Sequence, residues 1–342
     1  MTDKKQSKTI ISGVMVNHGA SEDAPDEAEN GAESELRHVC APLTSHGERL
    51  DRTLAEIVPE FSRSYLQQLI VAGAVQINGV TQSKSSARVK AGDALTIELK
   101  PTPQSQAFKP EAMAIDVVFE DEFLLVINKP AGLVVHPAPG NWSGTLLNGL
   151  LGRDMRAGSL PRAGIVHRLD KDTSGLMVVA RQRQAMDRLV EMIAARHVSR
   201  QYVALAHGAW QGSRTQHADF PVGRDPRNRL KMAVVDLEKN AGKSAATDIT
   251  LLENGTHYCL VQCKLHTGRT HQIRVHMGAL GHALVSDTLY GGPMAGGLQR
   301  QALHACRLGF EHPVTGRAMT FHASLPDDLM LAIANVGLIY NS

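Results

Sequence analysis

The chain has 342 residues, 43% of them apolar, which is enough for a sizeable core and allows two domains or one large one with appendages. No run of 18 apolar residues occurs, which excludes a helical membrane span, and the N-terminal stretch holds no hydrophobic segment long enough for a secretory signal. The net charge of +2 hides an asymmetry: residues 1–46 carry four basic against eight acidic residues, and residues 47–342 carry 32 basic against 26 acidic. A mildly basic folded part suits a polyanionic partner without demanding one. Four scattered cysteines, Cys40, Cys259, Cys263 and Cys306, make no disulfide framework, so a reducing cytoplasm is the expected setting.

Residues 1–45 are expected to be a disordered acidic tail, because Glu22 to Glu35 holds seven acidic residues, no basic ones and almost no large apolar side chains. A compact unit is expected over 46–100. Leu50, Leu54, Ile57 and Val58 share one helical face, ended by Pro59. Ser62 is placed to cap a second helix with Leu66, Leu69 and Ile70 inward. Asn78-Gly79 between β-forming residues predicts a hairpin, and Ala94 to Leu99 a further strand. The segments RLDRTLAE, SRSYLQQLI and GAVQINGV resemble the S4 RNA-binding domain. That resemblance puts Arg49, Arg52, Arg63, Lys84, Arg88 and Lys90 along a phosphate backbone; ordinary surface charge is the bland alternative.

Residues 101–111, with three prolines, read as a linker, and a second domain is expected over 112–332. Val117 to Lys129 predicts two short strands separated by Glu120-Asp121-Glu122. In NKPAGLVVHP, Pro130 fixes the backbone and Gly132 frees it, so the chain is expected to pass closely under a ligand, with His136 a packed or surface residue. Short helices are expected over Gly144 to Leu151 and over Gln184 to His197, the latter with Leu189, Met192 and Ile193 inward. Ser199 to Ala206 reads as a strand carrying Tyr202, and Gly223 to Met232 as a basic loop in which Arg224, Arg227, Arg229 and Lys231 suit RNA phosphates.

The most informative stretch is GIVHRLDKDTSGLMVVAR, residues 164–181. Leu176 to Ala180 is a buried-strand pattern, yet His167, Arg168, Asp170, Lys171 and Asp172 crowd its mouth, where a rigid strand holds functional side chains. This motif resembles the active-site motif of the RluA-type RNA pseudouridine synthases. The resemblance covers about residues 47–330 and implies an α+β protein: an S4-like domain plus a catalytic domain with a mixed, largely antiparallel sheet flanked by helices. It makes Asp170 the nucleophile and Arg168 the side chain that fills the vacated base stack, with His167 beside it. Tyr202 would stack on the target base and is the candidate for removing its proton. In LHTGRTHQIRVH, Thr270 is expected to cap a helix starting at His271, and the resemblance gives Arg274 the ion pair with Asp170, with Arg269 as runner-up. Ser286 departs from the glycine expected before Asp287. The implied substrate is uridine in a stem-loop of large-subunit ribosomal RNA; no cofactor or metal is implied, and the protein is expected to act as a monomer without membrane contact.

Isomerising uridine to pseudouridine breaks N1–C1′, turns the base and joins C5 to C1′, with no oxidation and no imported group. It calls for one ionised carboxylate shielded from water, which can attack C1′, attack C6 or abstract a sugar proton. Access requires extruding the base, at a cost of a few kcal/mol. Three rivals are weaker. His266, His271 and His276 are spaced five apart and so do not share a helical face for a metal, and Cys259 and Cys263 lie in a strand-like run. Asp170 and Asp172 stand too close in sequence for a glycosidase pair. An RNA-binding scaffold would not need the constellation of Asp170, Tyr202 and Arg274.

Overall fold

The structure, a computed structural model, describes residues 35–59, 61, 63–99, 107–138, 140–228 and 231–341. It divides into two compact units, one ending at Pro101 and one starting at Thr102.

The first unit is two helices on a four-stranded antiparallel sheet. In chain order these are β1 (Glu35–Cys40), α1 (Leu50–Ile57), α2 (Arg63–Val71), β2 (Val75–Ile77), β3 (Val80–Gln82) and β4 (Ala94–Leu99), with sheet order β1-β4-β2-β3. The predicted helix faces pack as expected: Leu50, Leu54, Leu66 and Ile70 meet Val75 and Ile97 in one core. Asn78 and Gly79 both take positive φ, 50° and 79°, as the two-residue hairpin turn requires.

One expectation fails here. Residues 35–45, assigned to the acidic tail, form β1 and a 3-10 turn, with β1 registered along all of β4 from Glu35↔Leu99 to Cys40↔Ala94. ELRHVC carries no clear strand pattern of its own, and β1 is completed by its pairing with β4. The tail itself (1–34), Ser62 and most of the linker lie outside the described residues.

The basic residues of this unit are also less free than expected. Asp51, on α1 with its side chain fully buried, accepts from Arg49 (3.0 Å), Arg63 (2.8 Å) and Gln67 (2.7 Å). Arg52 pairs with Glu48 at 3.2 Å, and Arg88 donates to the Gly47 carbonyl at 2.7 Å. Lys84 has no ion pair among the described residues.

The second unit is built on a nine-stranded sheet. Its elements are β5 (Val117–Glu120), β6 (Leu124–Lys129), α3 (Leu146–Arg153), β7 (Ser174–Ala180), α4 (Arg183–Ala194), β8 (Ser199–His207), β9 (Thr215–Asp219), β10 (Val222–Arg224), β11 (Met232–Val234), β12 (Gly242–Lys243), β13 (Ala246–Asn254), β14 (Tyr258–Leu265), α5 (Gln272–Ala279), β15 (Leu303–Glu311), β16 (Ala318–His322) and α6 (Asp327–Asn335). The order is β5-β6-β7-β15-β8-β14-β13-β9, with β16 on β15, and only the β7–β15 contact is parallel. The basic stretch 223–232 is therefore partly a hairpin: β10, β11 and β12 form a small separate sheet, and Arg229 lies outside the described residues.

The centre of the large sheet is where β7 meets β15. There Gly175 has φ 115°, and an added Cβ would stand 2.3 Å from the Ala305 carbonyl oxygen. The glycine of the Thr-Ser-Gly run is thus required by a close backbone approach that seats the preceding loop between two central strands.

Asp51 supports a first prediction. The hydrogen bond from Arg49, with those from Gln67 and Arg63, holds its carboxyl well below its ordinary value of 3.8 despite burial. A depressed carboxyl stabilises the fold fully above that ordinary value and loses the contribution as pH falls through the folded one. Asp51→Asn should lower the melting temperature of the first unit by several degrees at pH 7. The gap from wild type, followed by circular dichroism, should shrink below about pH 4.

Candidate functional site

A cleft of about 760 Å³ opens over the middle of the large sheet, and its lining includes Arg168, Asp170, Tyr202, His271 and Arg274. That volume suits a nucleotide-sized ligand. Three elements separated in sequence by tens of residues build it: the loop before β7, the face of β8, and the start of α5.

Asp170 sits in the loop with a side chain 16% exposed. Arg274 Nη1 donates to its Oδ2 at 3.2 Å. The guanidinium is itself clamped: Nε and Nη2 donate to the two oxygens of Asp287 at 2.7 and 2.8 Å, a fork on a carboxylate only 1% exposed. The Tyr290 ring lies under it, 4.8 Å from Cζ. Burial works against the Arg274 charge, but the hydrogen bonds and charge of Asp287, with a further contribution from Asp170, outweigh it and raise its pKa. Arg274 can therefore turn only one edge toward Asp170, and that edge is fixed. Arg269, the runner-up, donates instead to the Ser244 carbonyl at 3.0 Å.

His271 completes the ring around Asp170. Its Nε2 stands 3.8 Å from Asp170 Oδ1, and its Nδ1 is 2.7 Å from the Tyr290 hydroxyl, which also accepts the Met232 amide at 2.9 Å. Burial lowers the pKa of His271, against the opposing charge of Asp170. This geometry corrects the expected helix start. α5 begins at Gln272, and His271 is its N-cap in the left-handed region (φ 57°), with no side-chain cap. Thr270 does not cap; Gln272 Oε1 instead accepts from the Arg269 amide (2.9 Å) and the Thr267 hydroxyl (2.7 Å). A non-glycine residue at positive φ is a strained conformation that persists where the surroundings hold it, here the contact that turns the imidazole to Asp170.

Tyr202, on β8, is 5% exposed, and burial pushes its phenol up to about 12. Arg168 is exposed at the cleft and has no ion pair among the described residues, so the alternative pairing with Asp172 is not formed. His167 departs from expectation. Its Nε2 accepts the Val178 amide at 3.0 Å, and burial with the nearby Arg200 charge pushes its pKa down to about 3. Its ring is thus fixed to β7 and neutral. His136 lines the cleft, its pKa pushed down to about 4 by burial and by Arg162 and Arg168.

The Lys129-Pro-Ala-Gly132 turn also differs from its expected use. Gly132 has φ 86°, as predicted, but its amide donates to the Lys171 carbonyl at 3.0 Å. Lys129, 1% exposed, donates to the carbonyls of Pro130 (2.8 Å), Leu133 (2.9 Å) and Lys171 (2.9 Å), and burial lowers its pKa to about 8. The turn braces the Asp170 loop through the Lys171 carbonyl. Ser286 takes φ 60°, which explains why glycine was expected there; its hydroxyl donates to the Leu298 carbonyl at 2.7 Å and so holds the turn that delivers Asp287.

Sequence reasoning missed Asp287, Tyr290, His271 and Lys129 as parts of the site. The first two stand in the LVSDTLYGG segment, but nothing local marks them as partners of Arg274 or His271. The three histidines weighed as metal ligands go to separate places: His271 to Asp170, His276 to Thr247 and the Phe220 carbonyl, and His266 to Asp248. Among the described residues, His217, Asp248 and His266 form a group within 4.8 Å that suits metal ligation. Both imidazoles are hydrogen-bonded to the carboxylate at 2.6 Å. Cys259 and Cys263 are buried free thiols with raised pKa values.

Comparison with known proteins identifies the family. Residues 123–279 match the family described as RNA pseudouridylate synthase, and residues 48–95 match the S4 domain. The ribosomal large subunit pseudouridine synthase D of Neisseria meningitidis serogroup A is 45% identical over 323 residues, spanning 90% of this chain and 84% of that protein. The protein of the same name from Xanthomonas campestris pv. campestris is 44% identical over 317 residues, spanning 89% and 93%. The solved structure of human RNA pseudouridylate synthase domain containing 1 is 27% identical with a TM-score of 0.50, over 64% of this chain and 86% of that one. Human RNA pseudouridylate synthase domain containing 4, at 23% identity and a TM-score of 0.53 over 66% and 95%, supports the fold. With an α+β catalytic unit of this topology, a carboxylate held by a clamped arginine in a cleft, and relatives matched along nearly their whole length, the chain belongs to the RNA pseudouridylate synthase family.

Proposed function

We propose that this protein converts uridine to pseudouridine in large-subunit ribosomal RNA, with Asp170 as the acting carboxylate. The observation that carries the assignment is the Arg274–Asp170 contact at 3.2 Å, inside a cleft that also holds Tyr202. The substrate follows from what the relatives are named for and from the S4 match.

In this reading Arg168 occupies the place of the extruded base and Tyr202 stacks on it. The carboxylate of Asp170 starts the cleavage of N1–C1′, the base turns, and C5 bonds to C1′. The hydrogen on C5 leaves as a proton and N1 gains one, so mass is unchanged. Tyr202, whose phenol keeps its proton at neutral pH, serves first as a platform and passes a proton only to a strong local base. The chemistry runs on this chain's side chains alone, as a cytoplasmic monomer, with Arg224, Arg227, Arg229 and the S4 cations on RNA phosphates.

Asp170→Asn should reduce isomerisation by more than about 10³-fold, read as tritium released from uridine labelled at C5, while RNA affinity stays within about threefold. Asp287→Asn opens the fork that aims Arg274 and should slow single turnover by about 10²-fold without weakening RNA binding comparably. It should also destabilise the second unit by on the order of 3 kcal/mol, measured by chemical denaturation. Tyr202→Phe keeps the stacking ring, so any loss should fall on kcat rather than on KM.

A further inference from the structure

Arg200 is a buried cation that the site described above does not use. It stands two residues before Tyr202 on β8, so both side chains leave the same face of the sheet and both line the cleft. It is 6% exposed and its Nε is buried without a hydrogen-bond partner. Among the described residues no carboxylate pairs with its guanidinium, whereas the neighbouring buried Arg274 holds two. A buried guanidinium without a counter-charge is costly, and the cost is met only if an anion arrives.

The sequence also makes room for this cation. Gly268 has no unusual φ, so its backbone does not call for glycine, but an added Cβ would stand 2.7 Å from Arg200 Nη1. The absent Cβ lets the guanidinium lie close against this backbone, and a side chain there would displace its flexible end. The charge reaches its surroundings too, lowering the pKa of His167 after the larger effect of burial.

We propose that Arg200 is an anion-binding residue of the cleft that takes the non-bridging oxygens of a phosphate flanking the extruded uridine. The proposal rests on the uridine-isomerising reading of the site. A phosphate matches both the fork and the charge of a guanidinium, while a uracil carbonyl is neutral and would leave most of that charge uncompensated. With a base on Tyr202, the nucleotide's backbone lies to one side of the ring, and Arg200 stands about 7 Å along the same strand.

The test uses the full chain and a large-subunit ribosomal RNA stem-loop with one uridine that it converts, made also with a neutral methylphosphonate 5′ or 3′ of that uridine. Arg200→Met should weaken RNA binding at least tenfold while leaving the melting temperature unchanged or higher, and Arg200→Lys should restore part of the affinity. In wild type one of the two neutral linkages should cost a similar factor, and in Arg200→Met that linkage should cost little more. The proposal is overturned if Arg200→Met binds like wild type. It is equally overturned if the variant loses stability while both neutral linkages are harmless to wild type, or if the two penalties multiply at both linkages. Wild-type turnover separates the cases: its absence from every large-subunit RNA tested removes the functional reading and this proposal with it. Its presence leaves Arg200 to be judged by the variants.

Discussion

The guanidinium of Arg274 is shared between two carboxylates, and the unequal sharing organises the second unit. Asp287 takes two donors in a fork and is almost wholly buried; Asp170 takes one and faces the cleft. The buried pair cannot rearrange without leaving a charge unpaired, so the third contact inherits its rigidity. Around it, the strained His271, held through Nδ1 by the Tyr290 hydroxyl, stands on the other side of Asp170, and Lys129 holds the residue after Asp170 through the Lys171 carbonyl. The carboxylate is held by groups that arrive from α5, the β6 end and the segment after α5.

Much of this was legible in the sequence, for identifiable reasons. The helices and hairpin of the first unit follow from local periodicity and from Asn78-Gly79, which need no distant partner. Asp170, Tyr202 and Arg274 stand in motifs long enough to be read together, and the structure brings all three into one cleft. What escaped depends on contacts far apart in the chain. β1 exists because β4 offers it an edge, and its own residues show no alternation that would mark a strand. Lys129 reads as a surface charge until the Lys171 carbonyl is seen above it. Asp287 reads as a turn residue, and only the positive φ of Ser286 explains how the chain is bent to bring it under Arg274.

The same comparison shows that cations are poor guides by count alone. In the first unit, Arg49 and Arg63 converge on one buried carboxylate, and the Arg63 pair holds α1 to α2, so part of what reads as an RNA-facing patch is also the unit's internal electrostatics. In the second unit the contrast runs the other way: Arg274 is clamped, whereas Arg200 is buried at a similar depth and paired with nothing described. Position on a strand and the presence or absence of a counter-charge separate the structural arginines from those that face a ligand.

A fixed guanidinium, that of Arg274, aims the Asp170 carboxylate. The most direct test is the single-turnover rate of Arg274→Met on an RNA that wild type converts, with affinity measured in parallel. The chemical step should collapse by about 10²-fold or more while the RNA still binds. A variant that folds, binds and converts uridine at the wild-type rate would contradict it.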